Sequence, residues 1–153
     1  MVTSTVGTTR ELELIANLYR TTNAFVRELD RRLVQEHDIT FIQAVTLLAI
    51  GSFDRPQPRL VADFLSQQSQ TVTGVLDRLE RAGHVQRVRD LEDRRAVRLE
   101  LTESGKALVR AVDDRIRLHV ADLLGAVDDS TRRHLQVDLE TVESSIRAAS
   151  ATD

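Results

Sequence analysis

The sequence predicts a mostly α-helical fold with one small β-hairpin, and three observations predict it. Val72, Val75, Leu76 and Leu79 recur at i, i+3, i+4 and i+7, one narrow apolar stripe of a helix that Gly83 is placed to stop. Val97, Leu99 and Leu101 alternate with Arg98 and Glu100, the period of a half-buried strand. Longer apolar stripes at helical spacing occupy both ends of the chain, at 12–33, 108–127 and 135–146. A helix ended by glycine and followed by an Arg-tipped hairpin is the layout of a winged helix-turn-helix. The terminal stripes then supply N- and C-terminal helices that form a dimer stem.

Taken in order, residues 1–9 (MVTSTVGTT) have no periodicity and read as a mobile tail. From Arg10 to about Gln35, Leu12, Ile15, Leu18, Thr22, Phe25, Leu29 and Leu33 keep spacings of three or four. Such a helix is roughly 40 Å long, more than a small winged unit covers. One reading makes it a core helix throughout; in the other, which the family resemblance given below implies and which is favoured, its first part packs on a partner subunit. Thr40 and Gln43 make the capping box of the next helix, with Ile39 and Ala44 as its hydrophobic staple. Val45, Leu47, Leu48 and Ile50 carry that helix to Gly51, and two prolines break the loop 52–58. Pro58 suits the first turn of a short helix, 59–65, with Leu60, Val61, Phe64 and Leu65 facing inward.

The turn 66–69 leads into the central helix, whose outer face carries Ser69, Gln70, Thr73, Gly74, Asp77, Arg78 and Arg81. Residues 85–89 are the expected partner of strand 97–101, although their alternation is poor, and 90–95 form the tip. Thr102 is a good N-cap for a second long helix, with Leu108, Val112, Ile116, Val120, Leu123 and Val127 in one stripe. Asp128, Asp129 and Ser130 punctuate, and Leu135, Leu139, Val142 and Ile146 form the stripe of a last helix. A symmetric dimer whose stem is built from the chain ends buries these stripes well.

A length of 153 residues suits one domain. No apolar run approaches a membrane span and no secretory leader is legible, so a soluble cytoplasmic protein without a membrane partner is expected. With no cysteine, disulfides and thiolate metal sites are excluded. The net charge of −3 argues against nucleic acid unless the charge is unevenly placed, and it is. Between Arg55 and Arg98 nine arginines face six acids, a net of +3, while the other twelve basic and eighteen acidic residues leave −6 elsewhere. A mildly basic module sits on an acidic frame.

At the centre of that module the residues resemble a family. Asp93-Arg94-Arg95, then Leu101-Thr102 and Gly105, fits the DxR…LTxxG signature of the MarR-type (multiple antibiotic resistance regulator) transcription factors. Thr71-Val72-Thr73 and Asp77-Arg78-Leu79-Glu80 with Gly83 are similar to the same family's recognition helix. The resemblance covers most of the chain in layout, with the distinctive motifs confined to 66–105. It implies a single domain over 10–153, a winged core at about 40–101, and dimerisation helices at about 10–37 and 103–148. It also implies a sequence-specific DNA-binding regulator, a homodimeric repressor on a pseudo-palindromic double-stranded operator, relieved by a small-molecule effector.

The expected DNA-binding residues are Gln67, Gln68, Ser69, Gln70, Thr71, Thr73, Gly74 and Arg78 on and before the helix, and Arg87, Asp93, Arg94 and Arg95 on the hairpin. Small polar side chains reach base edges or phosphates. As the resemblance implies, Arg95 would enter a narrow minor groove with Asp93 holding its side chain in position. Position 74 often carries a basic residue in the family and is glycine here, which shifts base contacts toward Gln67, Gln68 and Gln70. A solvated helix face and a solvated turn would show the same residues, but the order of helix and hairpin favours DNA.

Nothing points to catalysis. The histidines at 37, 84, 119 and 134 are scattered, with no HExxH, no phosphate-cradling Gly-rich loop and no nucleophile elbow. Glu36, His37, His119 and Asp122 make a poor metal set, so no metal or other cofactor is expected. An effector pocket would draw on Leu18, Tyr19, Phe41, Val45 and Ile116, which are also what a plain core contains. The runner-up function is a winged-helix module for protein–protein contact without DNA.

Overall fold

The computed structural model describes residues 9–151; the rest of the expected N-terminal tail, 1–8, lies outside the described residues. Thr9 opens α1 (Arg10–His37) by accepting from the Leu12 N–H at 3.4 Å, and Asp38, in the left-handed region at φ 56°, closes it. The α1 stripe divides. Leu29 and Leu33 are buried, Leu18 and Phe25 are half-buried, and Leu12 and Ile15 are exposed.

The capping box forms as read: Thr40 accepts from the Gln43 N–H, and the Gln43 side chain accepts from the Thr40 N–H at 2.8 Å. It starts α2 (Phe41–Ser52), which runs through Gly51 rather than stopping there, because Gly51 keeps an ordinary helical φ and Phe53 turns extended. α3 (Pro58–Phe64) starts on its proline. Only part of its expected inward face is inward: Val61 and Ala62 are buried and Leu65 half-buried, whereas Leu60 and Phe64 are exposed. At 100° per residue, 61, 62 and 65 share one side of so short a helix, and 60 and 64 fall outside it. Phe64 rests edge-to-face on Phe53 at 5.4 Å between ring centres.

α4 (Ser69–Arg81) buries Val72, Val75, Leu76 and Leu79, the stripe read from the sequence. Gly83 follows it at φ +81°, the conformation that lets a glycine end a helix cheaply. β1 (Val85–Arg89) and β2 (Val97–Leu101) pair antiparallel, Val85 opposite Leu101 and Arg89 opposite Val97. The connection is one residue longer than expected, since Ala96 belongs to it. On its other edge β2 donates from the Leu99 N–H to the Pro56 carbonyl at 2.8 Å, tying the hairpin to the loop before α3.

α5 (Glu103–Leu123) ends before Val127. Its apolar stripe runs past the end of the helix because a turn containing Gly125 intervenes, so Val127 is not part of it. Asp128 caps α6 (Asp129–Ser150) by accepting from the Thr131 N–H at 3.0 Å. The chain forms two compact units, one reaching to Ile116 and one starting at Arg117. The first holds a continuous core in which Leu33, Leu47, Val61, Leu76, Leu79, Leu99 and Val112 are buried. In the second, α6 has no buried residue, and Leu135, Val137, Leu139, Val142 and Ile146 stand exposed.

Candidate nucleic-acid interface

The outer face of α4 is set by the burial of its inner one. With Val72, Val75, Leu76 and Leu79 turned into the core, Ser69, Gln70, Thr71, Thr73, Asp77 and Arg78 are exposed. Gln67 and Gln68 precede them, also exposed, after Ser66 turns the chain in the left-handed region at φ 50°. Gln68 is the N-cap residue, yet no side chain caps this helix and no acid lies in its first turn. Its N-terminal dipole is thus uncompensated, an arrangement that suits an anion. Thr73 donates its hydroxyl to the Ser69 carbonyl at 2.9 Å, so it brings no donor of its own outward.

Gly74 lies on the same face. A Cβ built there meets nothing within 4 Å, so no packing inside the protein requires glycine. A glycine within a helix costs about 0.5–1 kcal/mol relative to alanine.

The wing is fastened at its base. Asp90, only 3% exposed, accepts from the Glu92 N–H at 2.9 Å and the Asp93 N–H at 3.1 Å, and binds Arg55 Nη2 through both oxygens at 2.8 and 3.0 Å. Arg55 Nη1 reaches Glu92 at 2.6 Å. The backbone donors from Asp93 and Glu92, and then the Arg55 guanidinium, hold the Asp90 carboxyl below the usual aspartate range. A carboxyl with a lowered folded pKa stabilises its surroundings at pH above its unfolded value near 4, and that contribution is lost as pH falls through the folded value. In an acid titration followed by NMR, the Glu92 and Asp93 amides are expected to lose protection below about pH 4 before those of α4 do. Loss in the reverse order would remove Asp90 as the organiser of the wing.

At the tip, the Asp93 carboxylate accepts from the backbone N–H of Arg95 at 3.0 Å. This differs from the expected grip on the Arg95 guanidinium: an acid two residues before an N–H closes an Asx turn on the main chain. Asp93 fixes the path of the tip, and the Arg94 and Arg95 side chains stand exposed. Arg87 also differs from its expected outward role. Its Nη2 binds Asp77 at 2.7 Å, its Nη1 binds Glu80, and its side chain is 27% exposed. Burial opposes the charge on Arg87, but the two carboxylates outweigh it and raise its pKa. Arg87 thereby brackets the hairpin to α4.

The nine arginines of the basic module separate into two groups. Arg55, Arg87 and Arg98 are held by carboxylates, and Arg59 lies 3.9 Å from Asp63. Arg78, Arg81, Arg89, Arg94 and Arg95 are exposed and have no carboxylate partner among the described residues. The acids behave oppositely. Asp63, Asp77, Glu80, Asp90 and Glu92 each pair with an arginine, and Asp93 is bound to main chain. Sequence reasoning missed Arg55 and Asp90 as the fastening of the wing, and missed Arg81 and Arg89 as unpaired cations. Ion pairs between residues 35 apart leave no local signal.

The LTxxG motif is structural. Thr102 donates its hydroxyl to the Gly83 carbonyl at 2.7 Å and accepts from the Gly105 N–H at 3.0 Å, and its own N–H donates to the His84 carbonyl at 3.1 Å. These bonds dock the start of α5 against the chain leaving α4.

Of the expected effector residues, Phe41 and Ile116 pack against the core, Leu18 and Val45 are half-buried, and Tyr19 is 71% exposed. Glu36, weighed as a metal ligand, has both carboxylate oxygens on Arg115 at 2.8 Å. No helix of the described residues is long and apolar enough to cross a membrane.

Comparison with known proteins matches the MarR family to residues 37–96. The HTH-type transcriptional regulator TtmR of Methylorubrum extorquens is 34% identical over 101 residues, 66% of this chain and 51% of that protein, so the chain spans about half the length of this relative. The HTH-type transcriptional regulator SarZ of Staphylococcus haemolyticus is 30% identical over 102 residues, covering 65% of this chain and 69% of SarZ. Among solved structures, the MepR–DNA complex from Staphylococcus aureus superposes with a TM-score of 0.74 at 23% identity, over 93% of this chain and 99% of MepR.

Proposed function

Because the chain belongs to the MarR family, we propose that it acts as a homodimeric, sequence-specific DNA-binding repressor of transcription. The observation that carries the reading is the sorting of charge. Five unpaired arginines lie on α4 and the hairpin, while the acids from Asp77 to Asp93 are each bound to an arginine or to main chain of the same chain. A surface cleared of free carboxylate and lined with free guanidinium attracts a polyanion despite a net charge of −3. In this reading α4 enters a major groove, Gln67, Gln68, Ser69, Gln70, Thr71 and Thr73 meet bases and phosphates, and Arg78 lies along the backbone. Arg94 and Arg95 reach the flanking minor groove. The likeness to MepR, a protein solved with DNA, supports this docking.

The second copy is supported by apolar surface that one chain leaves open: Leu12, Leu14, Ile15 and Tyr19 on α1, and the length of α6. A 22-residue helix with no buried residue gains its stability from a partner. Two copies related by a two-fold axis would read a pseudo-palindromic site. Relief by a small molecule belongs to the same reading; its support is that the DNA binding of BpsR of Bordetella bronchiseptica, a structural neighbour, is regulated by 6-hydroxynicotinic acid.

The test is binding to a selected duplex across a salt series, with mass measured alongside. Five unpaired arginines per chain make ten in a dimer; if half of them sit at phosphates, log K falls against log salt with a slope of about −4 to −5. Light scattering at micromolar protein is expected to give about twice the 17.2 kDa chain mass. A monomer would remove the dimer and with it the pseudo-palindromic site, and a slope near zero would replace this reading with a winged-helix module for protein contact.

A further inference from the structure

We infer that Gly74 forms a notch on α4 that receives the C5 methyl of a thymine, and so helps determine which sequence is read. The inference rests on the DNA-binding reading above and names the chemistry at one position in it.

Four observations lead to it. Gly74 lies about 200° around the helix from Val72, which is fully buried, so it faces directly away from the core. It is nevertheless half-buried, recessed below the side chains around it. A Cβ added there would meet nothing within 4 Å, and Gly74 is not among the residues with positive φ. Neither backbone conformation nor internal packing therefore asks for glycine, although glycine weakens a helix. What remains is a requirement from outside the chain: close approach of a partner to the helix axis.

The chemistry of the notch selects the partner. Mid-helix N–H groups are already bonded along the helix, so the recess presents Cα–H and no donor, and a phosphate gains nothing there. Thr73 offers no donor either, since its hydroxyl hydrogen goes to Ser69. Asp77, four residues from Thr73 on the same face, would repel DNA if free, but Arg87 holds its carboxylate at 2.7 Å. One turn before Gly74, at about 40° around the axis, stands the exposed Gln70. A glutamine amide pairs two-fold with adenine N6 and N7 in the major groove, and adenine's partner carries the one methyl exposed there. Gln70 on adenine with Gly74 over a thymine methyl makes a compact reader of A·T pairs. An arginine or lysine at 74 would instead reach for guanine.

The experiment compares the wild-type protein with Gly74→Ala. A duplex is first selected from a random-sequence library with wild-type protein. Gly74→Ala is expected to raise the melting temperature while losing about tenfold or more in affinity for the selected duplex, with binding to random duplex unchanged. Thymine is then replaced by uracil one position at a time, which deletes only the methyl. At one position in each half-site the replacement should weaken wild type several-fold and weaken Gly74→Ala much less, because the methyl and the notch act as a pair. Equal affinity of wild type and Gly74→Ala for the selected duplex would overturn the inference. So would equal losses on selected and random DNA, or no uracil position coupled to residue 74. If the wild type selects no sequence at all, the DNA-binding reading itself fails, a separate and recognisable outcome.

Discussion

Arg95→Ala is expected to lose binding on the order of tenfold or more at each half-site and to lower the salt slope by roughly one unit per wing. Arg95 is exposed at the hairpin tip, has no carboxylate partner among the described residues, and sits on a main chain fixed from below. That fixing is what makes the loss large. Asp90 holds the first half of the tip, Arg55 holds Asp90 and Glu92, and Asp93 holds the N–H of Arg95 itself. A guanidinium presented by a preorganised turn forfeits less entropy on entering a narrow groove than one on a loose loop. The Asp93 variants separate this account from simple charge. Removing an acid beside DNA should tighten binding if long-range Coulomb attraction is all that matters. Asp93→Ala is instead expected to weaken it, because the acceptor for the Arg95 N–H is gone. Asp93→Asn keeps the acceptor and drops the charge, so it should bind as well as wild type or better. Gel shift and fluorescence anisotropy at several salt concentrations provide the measurement. Tighter binding by Asp93→Ala would sink the turn-forming role.

The wing also marks where sequence reading reached and where it stopped. Periodic signals are legible: the buried face of α4, the presence of strand β2 and the capping box at Thr40 all depend on residues a few positions apart, although in β2 only Leu99 is buried and Val97, at the tip end of the hairpin, stands exposed. β1 was weak because only Val85 in it is buried, while Arg87 turns toward carboxylates on α4. Its place came from the partner strand rather than its own pattern. Asp93 organises the tip through the Arg95 N–H rather than its guanidinium, and sequence spacing does not separate a side-chain donor from a main-chain one. Arg55 was counted as one of nine cations when it is a fastening, because its partner lies 35 residues away. Charge totals from sequence therefore suggested a basic module, and only the pairing shows which five arginines give the surface its sign. The end of α5 is hidden for a related reason: the apolar spacing continues to Val127 across a turn, and only Gly125 signals the break.

Gly105→Ala is expected to cause the largest loss of stability of any glycine-to-alanine change among the described residues. A Cβ at Gly105 would lie 2.0 Å from the His84 carbonyl oxygen and 3.0 Å from its carbon, and both are backbone atoms that no rotamer change can move aside. Retreat is blocked on both sides. The His84 carbonyl already accepts from the Thr102 N–H at 3.1 Å, and the Thr102 hydroxyl bonds both Gly83 and Gly105. Shifting α5 outward breaks these bonds and draws Val112, fully buried, away from the core it shares with Leu76 and Leu99. Overpacking of this kind costs about 3 kcal/mol or more. For a chain of this size that corresponds to a fall in melting temperature of roughly 6–12 °C. Circular dichroism melts at a fixed protein concentration measure it, with Gly74→Ala as the internal comparison. The same glycine-to-alanine change is expected to raise the melting temperature at 74, where space is open, and to lower it sharply at 105, where the main chain of His84 fills it. If Gly105→Ala melts within a degree or so of wild type, α5 does not dock on His84 as described, and the structural explanation of the LTxxG motif fails with it.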